Sequence, residues 1–136
     1  MQKKVYSLKT MKQKLSFKIN FKKSKIPSKK KLTGKYCYLE PLNIKKHSKG
    51  LYDNFSKDEE NRIWTYLPYG PFKTYKSFKK WLKSNCLKKD PFFYAIYSKK
   101  YKQYCGMASY LRITPEYGLI EVGHINYSPI LQNTTE

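Results

Sequence analysis

Three extended segments follow one another near the end of the chain, and this succession limits its fold more than any other feature. Residues 92–97, 104–113 and 119–128 are rich in aromatic and β-branched side chains. A polar turn joins the first two segments, and the turn at 114–118 has Pro near its start and Gly at its end. The pattern predicts an antiparallel meander of three strands.

Two helices and one further strand are predicted before this meander. Asn43 can cap a helix whose apolar stripe includes Leu51 and Phe55, and Thr74 can cap a second helix. The apolar face of the second helix consists of Phe78, Trp81, Leu82 and Cys86. Residues 36–39 are typical of a strand that Pro41 ends. The order β-α-α-β-β-β predicts an α+β fold in which helices cover the sheet.

The positive charge is concentrated at the start of the chain. The 136 residues include 29 basic and 9 acidic side chains, a net charge of +20, and 27 of the basic residues are lysines. Residues 1–35 contain 13 lysines and no acidic residue, which leaves +7 for the remainder. We therefore predict a flexible Lys-rich arm over 1–35 and one folded domain over 36–136.

Within this arm, four apolar residues alternate with polar ones. They are Leu15, Phe17, Ile19 and Phe21. The alternation favours a short strand, although adsorption to an acidic surface would use the same pattern.

Targeting and metal-binding signals are weak. Lysines interrupt every apolar run, so neither a secretory signal nor a membrane span of ~20 apolar residues is expected. The cysteines at 37, 86 and 105 are odd in number and lack CxxC spacing, and His47 lies far from His124 in sequence. We expect an intracellular, cytoplasmic protein with reduced thiols and no metal.

The last predicted strand and its exit are the stretch that indicates function. Gly123 in the middle of a strand favours a β-bulge, and Pro129 ends the ladder. The polar residues after Pro129 are suited to an anion, because backbone N–H groups converge where a strand leads into a helix.

This order of elements, together with the exit, resembles the GNAT superfamily of acetyl-CoA-dependent N-acetyltransferases. The likeness is strongest to the branch of ribosomal-protein N-terminal acetyltransferases, which residues 64–72 and 105–124 also resemble. The signature strand of the family reads apolar-x-apolar-x-Pro-x-x-Gln or Arg. The matching residues here are Ile125, Tyr127, Pro129 and Gln132.

The resemblance implies a GNAT-like mixed, mainly antiparallel sheet with flanking helices. In the family the signature continues after two further residues with Gly-x-Gly or Gly-x-Ala and then a helix, and further strands and helices follow. The chain ends before these elements, so we expect it to be a truncated, front portion of such a domain. Thr135 also stands where the family usually has Gly.

Carried over residue by residue, the resemblance implies a site for acetyl-CoA as cosubstrate. The backbone of Ile125, Asn126 and Tyr127 would pair with the pantetheine arm like an added strand. The loop around the pyrophosphate would begin with Gln132, Asn133, Thr134, Thr135 and Glu136.

Acetyl transfer to an amine needs a base that removes a proton from the amine. Glu121 and His124 are the candidate catalytic residues; strand alternation places Glu121 on one face with Gly123, Ile125 and Tyr127, and His124 on the other unless the strand bulges. The resemblance places the acceptor amine beside an aromatic loop. Its residues are Trp64, Tyr66, Tyr69 and Phe72, for which core packing is an equal explanation.

Two other functions stay open at the level of sequence. A basic protein bound to nucleic acid or to the ribosome would use the Lys-rich arm, since lysines can neutralise phosphates and the chain has many aromatic residues for stacking. A non-functional gene fragment would leave a sheet edge uncovered. The acceptor, either a small molecule or a protein N-terminus, is not specified by the sequence.

Overall fold

The computed structural model describes residues 20–135. Their order of elements is the predicted one, with a short additional strand at the start. The strands are β1 (Leu32–Thr33), β2 (Cys37–Pro41), β3 (Phe92–Ser98), β4 (Gln103–Thr114) and β5 (Leu119–Tyr127). The helices are α1 (Ile44–Phe55) and α2 (Tyr75–Asn85), and single 3₁₀ turns occur at Arg62–Trp64 and Pro129–Leu131. The predicted α+β class is thus confirmed.

The five strands form one antiparallel sheet in which spatial order follows chain order. Strands β3, β4 and β5 are the predicted meander, and β2 adds to it on the side of β3. The β4–β5 turn has the expected chemistry, because Gly118 takes a positive φ of 65°. Strand β5 is consequently one edge of the sheet.

Both helices begin at their predicted caps. The side-chain oxygen of Asn43 accepts a hydrogen bond from the Lys46 backbone N–H at 3.0 Å. Thr74 Oγ1 accepts one from the Ser77 N–H at 3.1 Å. Each cap satisfies a donor that the first helical turn leaves without a partner.

The main core lies between the helices and one face of the sheet. Its buried residues are Leu51, Phe55, Trp64, Phe78, Leu82, Cys86, Phe93, Ala95 and Met107. Burial of large apolar and aromatic side chains is the main stabilising term in such a layer. The face of the sheet that carries Phe93 and Met107 is called the helix face below.

Residues 20–35, which belong to the predicted basic arm, lie along the sheet. Strand β1 pairs with β2, and Tyr94 Oη donates to the carbonyl of Ser28 at 3.4 Å. Earlier in the chain, the Ser24 N–H donates to the Pro115 carbonyl in the β4–β5 turn. Of the predicted strand over residues 15–21, all but the last two residues lie outside the described part of the chain.

A half-buried carboxylate joins β2 to α1 and β4. Glu40 Oε2 accepts hydrogen bonds from Lys46 Nζ at 2.5 Å and from Tyr104 Oη at 2.8 Å. His47 Nε2 lies 3.3 Å from the same oxygen, while its Nδ1 accepts from the Asn43 N–H at 3.0 Å. Because Nδ1 is an acceptor, Nε2 carries the proton and donates to Glu40.

These donors control the ionisation of Glu40. Burial alone would raise its pKa, but the hydrogen bonds from Lys46, Tyr104, Lys31 and His47 outweigh burial and lower the pKa to about 2. The carboxylate is therefore charged at all ordinary pH values.

No helix among residues 20–135 is long and apolar enough to cross a membrane.

We predict that Glu40 makes the free energy of unfolding of the chain depend on pH in the acidic range. Its pKa is lower in the folded state, so its contribution is complete above about pH 5 and is lost as the pH falls towards 2. Glu40→Gln should lower the free energy of unfolding at pH 7 by about 1–3 kcal/mol and flatten its dependence on pH between 5 and 2. Urea unfolding at several pH values measures both effects. An unchanged pH profile in Glu40→Gln would contradict the assignment.

Candidate active site on strand β5

Strand β5 contains a β-bulge at His124. Gly123 pairs with Ser109 and Asn126 pairs with Met107, so two residues of β5 lie opposite the single residue Ala108. His124 has a φ of 49°, in the left-handed region. The β-bulge predicted from Gly123 is confirmed, with the extra residue at His124, the next position in the chain.

The bulge changes which residues share a face. Residues paired directly across antiparallel strands lie on the same face of the sheet. Gly123 and Asn126 are paired with Ser109 and Met107, and therefore both belong to the helix face. The prediction that Ile125 and Tyr127 lie on the face of Gly123 is wrong, because the extra residue reverses the alternation and Tyr127 pairs with Gly106.

The bulge also directs the His124 ring towards the helix layer. The ring centroid lies 5.3 Å from that of Phe93 and 5.6 Å from that of Tyr69. His124 Nδ1 is 3.2 Å from Tyr69 Oη, a hydrogen-bond distance. Tyr69 itself packs against Trp81 with ring centroids 4.2 Å apart.

His124 and Tyr69 are both neutral at pH 7. Burial lowers the pKa of His124 below its ordinary 6.5, although the nearby Glu121 carboxylate acts in the opposite direction. Burial raises the pKa of Tyr69 further above its ordinary 10.0. An uncharged imidazole is the form that can accept a proton.

A cleft of about 140 Å³ opens beside this pair. Its lining residues are Tyr69, Trp81, Asn85, Lys88, Pro91, Phe93 and His124. Sequence reasoning assigned Trp81 to a helix face and missed Asn85, Lys88, Pro91 and Phe93 as part of any site. These residues come from the end of α2 and the start of β3, and no sequence motif joins them.

The predicted aromatic loop divides into three environments. Tyr69 lies in the cleft, whereas Trp64 is buried in the core and Phe72 packs against it with ring centroids 5.3 Å apart. Tyr66 is 97% exposed. Gly70 has a φ of 79°, and a Cβ at this position would lie 2.5 Å from the Trp64 ring, so this close approach requires glycine.

Glu121 lies away from the cleft wall, at the solvent-exposed edge of the sheet. Its Oε2 forms an ion pair with Arg112 Nη1 at 3.1 Å, and both side chains are substantially exposed. The backbone of Arg112 is held by Asp90, whose Oδ1 accepts from its N–H at 3.0 Å. Glu121 and His124 are near enough to interact electrostatically, and no direct hydrogen bond joins them.

The second half of β5 presents peptide groups to the outer edge of the sheet. The Ser128 N–H donates to the Cys105 carbonyl, which makes this pair a hydrogen-bonded one. Since such pairs alternate along an antiparallel ladder, the backbone of Asn126 faces β4 and that of Tyr127 faces outward. The Ile125 carbonyl also faces outward, because in a planar trans peptide it points away from the Asn126 N–H, which faces β4.

Asn126 carries a second unusual feature. Its side chain is buried, and neither Oδ1 nor Nδ2 has a hydrogen-bond partner among residues 20–135. The hydroxyl of Ser128 is buried and unpartnered in the same way. Buried polar groups usually have partners, and ones without are typical of sites that receive a ligand or a water molecule.

The exit from β5 is a polar turn. After the 3₁₀ turn at Pro129–Leu131, Asn133 has a φ of 59°. Gln132 Nε2 donates to the Tyr127 carbonyl at 3.4 Å, and Thr134 Oγ1 donates to the Leu131 carbonyl at 2.7 Å. Thr135 is the last described residue, and Glu136 lies outside the described part.

Comparison with known proteins identifies the fold. No protein-family model matches the sequence, and no curated protein matches it. Among solved structures, a GCN5-related N-acetyltransferase from Brucella melitensis is 32% identical, with a TM-score of 0.79 over 82% of this chain and 51% of that one. An acetyltransferase of the GNAT family from Chromobacterium violaceum, described as probable, is 28% identical, with a TM-score of 0.77 over 90% of this chain and 61% of that one.

The chain thus has the α+β fold of GNAT acetyltransferases, and its resemblance to acyltransferases supports the predicted relationship to that superfamily. It spans about half to three fifths of the length of these two structures. The narrower likeness to the ribosomal-protein branch stays a prediction.

We predict that His124 titrates below pH 6.5. In a ¹H–¹³C NMR titration, the imidazole signal that disappears in His124→Gln should show a pKa below 6.5, because burial disfavours the charged ring. Trp81→Ala should open the cleft and move this pKa back towards 6.5. A His124 pKa at or above 6.5 in the unaltered chain would contradict the buried position.

Proposed function

We propose that the chain is an acetyltransferase domain that transfers an acetyl group from acetyl-CoA to a primary amine. The observation that carries this proposal is the bulge in β5. One extra residue places the His124 imidazole in an aromatic cleft and leaves the neighbouring peptide groups of Ile125 and Tyr127 facing out of the sheet. A proton acceptor and a binding edge therefore lie within four residues of each other.

The outer edge of β5 fits the pantetheine arm of acetyl-CoA. That arm contains two amides, and the outward peptide groups of Ile125 and Tyr127 can pair with them as a neighbouring strand would. Asn126 lies between them with a buried amide that lacks a partner. When bound, acetyl-CoA supplies an acetyl thioester, which an amine can attack.

The polar exit from β5 fits the pyrophosphate end of the same ligand. Gln132, Asn133, Thr134 and Thr135 directly follow the pantetheine edge, and Glu136 comes next in sequence. The positive φ of Asn133 turns successive backbone N–H groups towards one side, an arrangement that binds anions.

His124 is the residue we propose as general base. If Nδ1–H donates to Tyr69 Oη, then Nε2 keeps a lone pair that can accept the proton of the acceptor amine. Tyr69 thereby orients the ring, and its own raised pKa keeps the phenol from ionising. Main-chain donors of β5 would stabilise the charge that develops on the thioester oxygen.

Glu121 has a supporting role in this proposal. Its carboxylate is engaged by Arg112, and its field acts on His124 in the direction that favours the imidazolium. It would therefore stabilise the ring after proton transfer, whereas His124 makes the direct contact with the amine. Sequence reasoning gave Glu121 and His124 as joint candidates, and the proposal gives them different roles.

The cleft is the proposed acceptor site. Tyr69, Trp81 and Phe93 give it apolar walls, and Asn85 and Lys88 bring polar groups to it. Trp64 and Phe72 would shape it from behind, because they pack against Tyr69 and Trp81. The proposed acceptors are small amines and protein N-termini. Tyr66 lies at the surface and would contact only the larger of these, a protein N-terminus.

The proposal places the protein inside the cell, where acetyl-CoA is available. The alternative function as a nucleic-acid or ribosome-bound protein gains no support from the comparisons, which are with acetyltransferases. Residues 1–35 keep a role in weak electrostatic contact with acidic surfaces as a secondary proposal.

We predict that acetyl-CoA raises the melting temperature of the chain and that His124→Gln separates binding from chemistry. The variant should keep the thermal shift, because the binding edge is backbone, and should lose about 10²–10⁴-fold in acetyl transfer to primary amines, the usual contribution of a general base. Tyr117→Ala is the matched control, since this exposed side chain lies in the β4–β5 turn and outside the cleft. The proposal is wrong if acetyl-CoA causes no thermal shift in the unaltered chain.

A further inference from the structure

The cleft beside His124 has one charged wall. Of the seven residues that line it, only Lys88 carries a charge at pH 7, since His124 and Tyr69 are both neutral. An acceptor amine is itself cationic in water before its proton is removed. A cleft that selected amines by charge alone would present a carboxylate, whereas this cleft presents an ammonium group. The lining therefore favours an amine that also carries a negative group.

Two acidic residues near the cleft bind other groups. Glu121 Oε2 pairs with Arg112 Nη1 at 3.1 Å. The Asp90 carboxylate accepts hydrogen bonds from the backbone N–H groups of Arg112 and Ile113, each at 3.0 Å. Residues 58–60, which are all acidic, line a separate groove beside the 3₁₀ turn that follows β5. Within residues 20–135, no carboxylate lines the cleft.

The wall that holds Lys88 is strongly basic. Residues 73–89 comprise the approach to α2, the helix itself and the loop after it, and they contain seven lysines and no acidic residue. Trp81 and Asn85 on α2 and Lys88 in the loop reach the cleft. The summed charge of such a stretch gives a positive potential that attracts anions and repels cations. A polyamine would therefore be a poor acceptor.

Lys88 is available to bind an anion. No carboxylate among residues 20–135 forms an ion pair with its ammonium group. Its charge also reaches the layer behind the cleft, where Cys86 is buried. Burial raises the pKa of the Cys86 thiol to about 12, and the charge of Lys88 acts in the opposite direction. Because such effects weaken with distance, the ammonium group lies close to this wall.

Asn85 fixes a second polar group at the cleft. Its Nδ2 donates to the Trp81 carbonyl at 3.0 Å, in the last turn of α2. The side-chain oxygen is left to accept a hydrogen bond, and an amine N–H is a donor. The cleft thus combines acceptors for an amine, at Asn85 and His124, with a donor for an anion, at Lys88.

We propose that the acceptor is an amine that carries a carboxylate and that Lys88 determines this specificity. The inference rests on the proposed acetyltransferase function of the cleft. The Lys88 ammonium group donates to the carboxylate in a charge-assisted hydrogen bond, and the amine is held towards His124 Nε2. A peptide with an acidic residue after its N-terminus and a small amino acid share this chemistry, and both enter the test.

Matched acceptors test the proposal by charge alone. Three tripeptide amides with alanine at both ends carry glutamate, glutamine or lysine in the middle, so that the length and the reacting amine are the same. With the full chain and saturating acetyl-CoA, kcat/KM should be about 5-fold or more higher for the glutamate peptide than for the glutamine peptide, and lowest for the lysine peptide. The small-molecule series is γ-aminobutyrate, n-butylamine and putrescine, with the same expected order.

Variants assign the preference to Lys88. Lys88→Gln should reduce the ratio of kcat/KM between the glutamate and lysine peptides about 5-fold or more, Lys88→Glu should invert it, and Lys88→Arg, which keeps the charge, should preserve it. Lys76→Gln is the matched control, because it removes the same charge from an exposed position on α2 outside the cleft. An effect of net charge alone would appear in Lys76→Gln as well.

Binding is measured separately from chemistry. NMR titration of the His124 ring signals with each acceptor, in the absence of acetyl-CoA, gives dissociation constants for the cleft. The acceptor with the carboxylate should bind most tightly to the unaltered chain and lose this advantage in Lys88→Gln. This measurement decides the specificity even if no acetyl transfer occurs, an outcome that would refute the proposed function alone.

The outcomes distinguish the two claims. The expected order of acceptors in either series, lost in Lys88→Gln and kept in Lys76→Gln, supports the proposal, and the series that shows it identifies the source of the carboxylate. Acetyl transfer without a preference for the carboxylate would overturn the specificity and leave the proposed function intact. A preference that persists in Lys88→Gln, or no response of His124 to any acceptor, would likewise overturn the specificity.

Discussion

The site depends on one extra residue in strand β5. Without the bulge, regular alternation would place His124 on the face of the sheet opposite Gly123, away from Tyr69. With the bulge, the imidazole lies on the helix face, and its Nδ1 is 3.2 Å from Tyr69 Oη. The left-handed φ of His124 is the cost of this arrangement, and strained residues of this kind cluster at functional sites.

The rest of the fold holds the partners of this bulge in place. Strand β3 supplies Phe93 beneath the imidazole, and helix α2 supplies Trp81 behind Tyr69. The loop before α2 is itself fixed by the contact of Gly70 with the Trp64 ring, which leaves no space for a side chain. The cleft is therefore built from rigid elements, as the positioning of a proton acceptor requires.

Sequence reasoning predicted most of the fold but only part of the site. The helix caps at Asn43 and Thr74 and the turn at Gly118 follow local rules, and the structure confirms them. The cleft could not be predicted in the same way, because Asn85 and Phe93 meet His124 only through tertiary packing. The face of Ile125 was predicted wrongly, since the position of a bulge is decided by pairing with β4.

Acetyl-CoA is proposed to bind along the outer edge of β5 at Ile125 and Tyr127, beside His124. The most direct test is a titration of the ¹⁵N-labelled chain with acetyl-CoA, followed by amide NMR. We expect the largest shift changes at the amides of Ile125, Tyr127 and residues 132–135, together with a change in the His124 ring signals. Shift changes confined to the amides of the Lys-rich arm, residues 1–35, with no response of Ile125, Tyr127 or His124, would contradict binding at this edge.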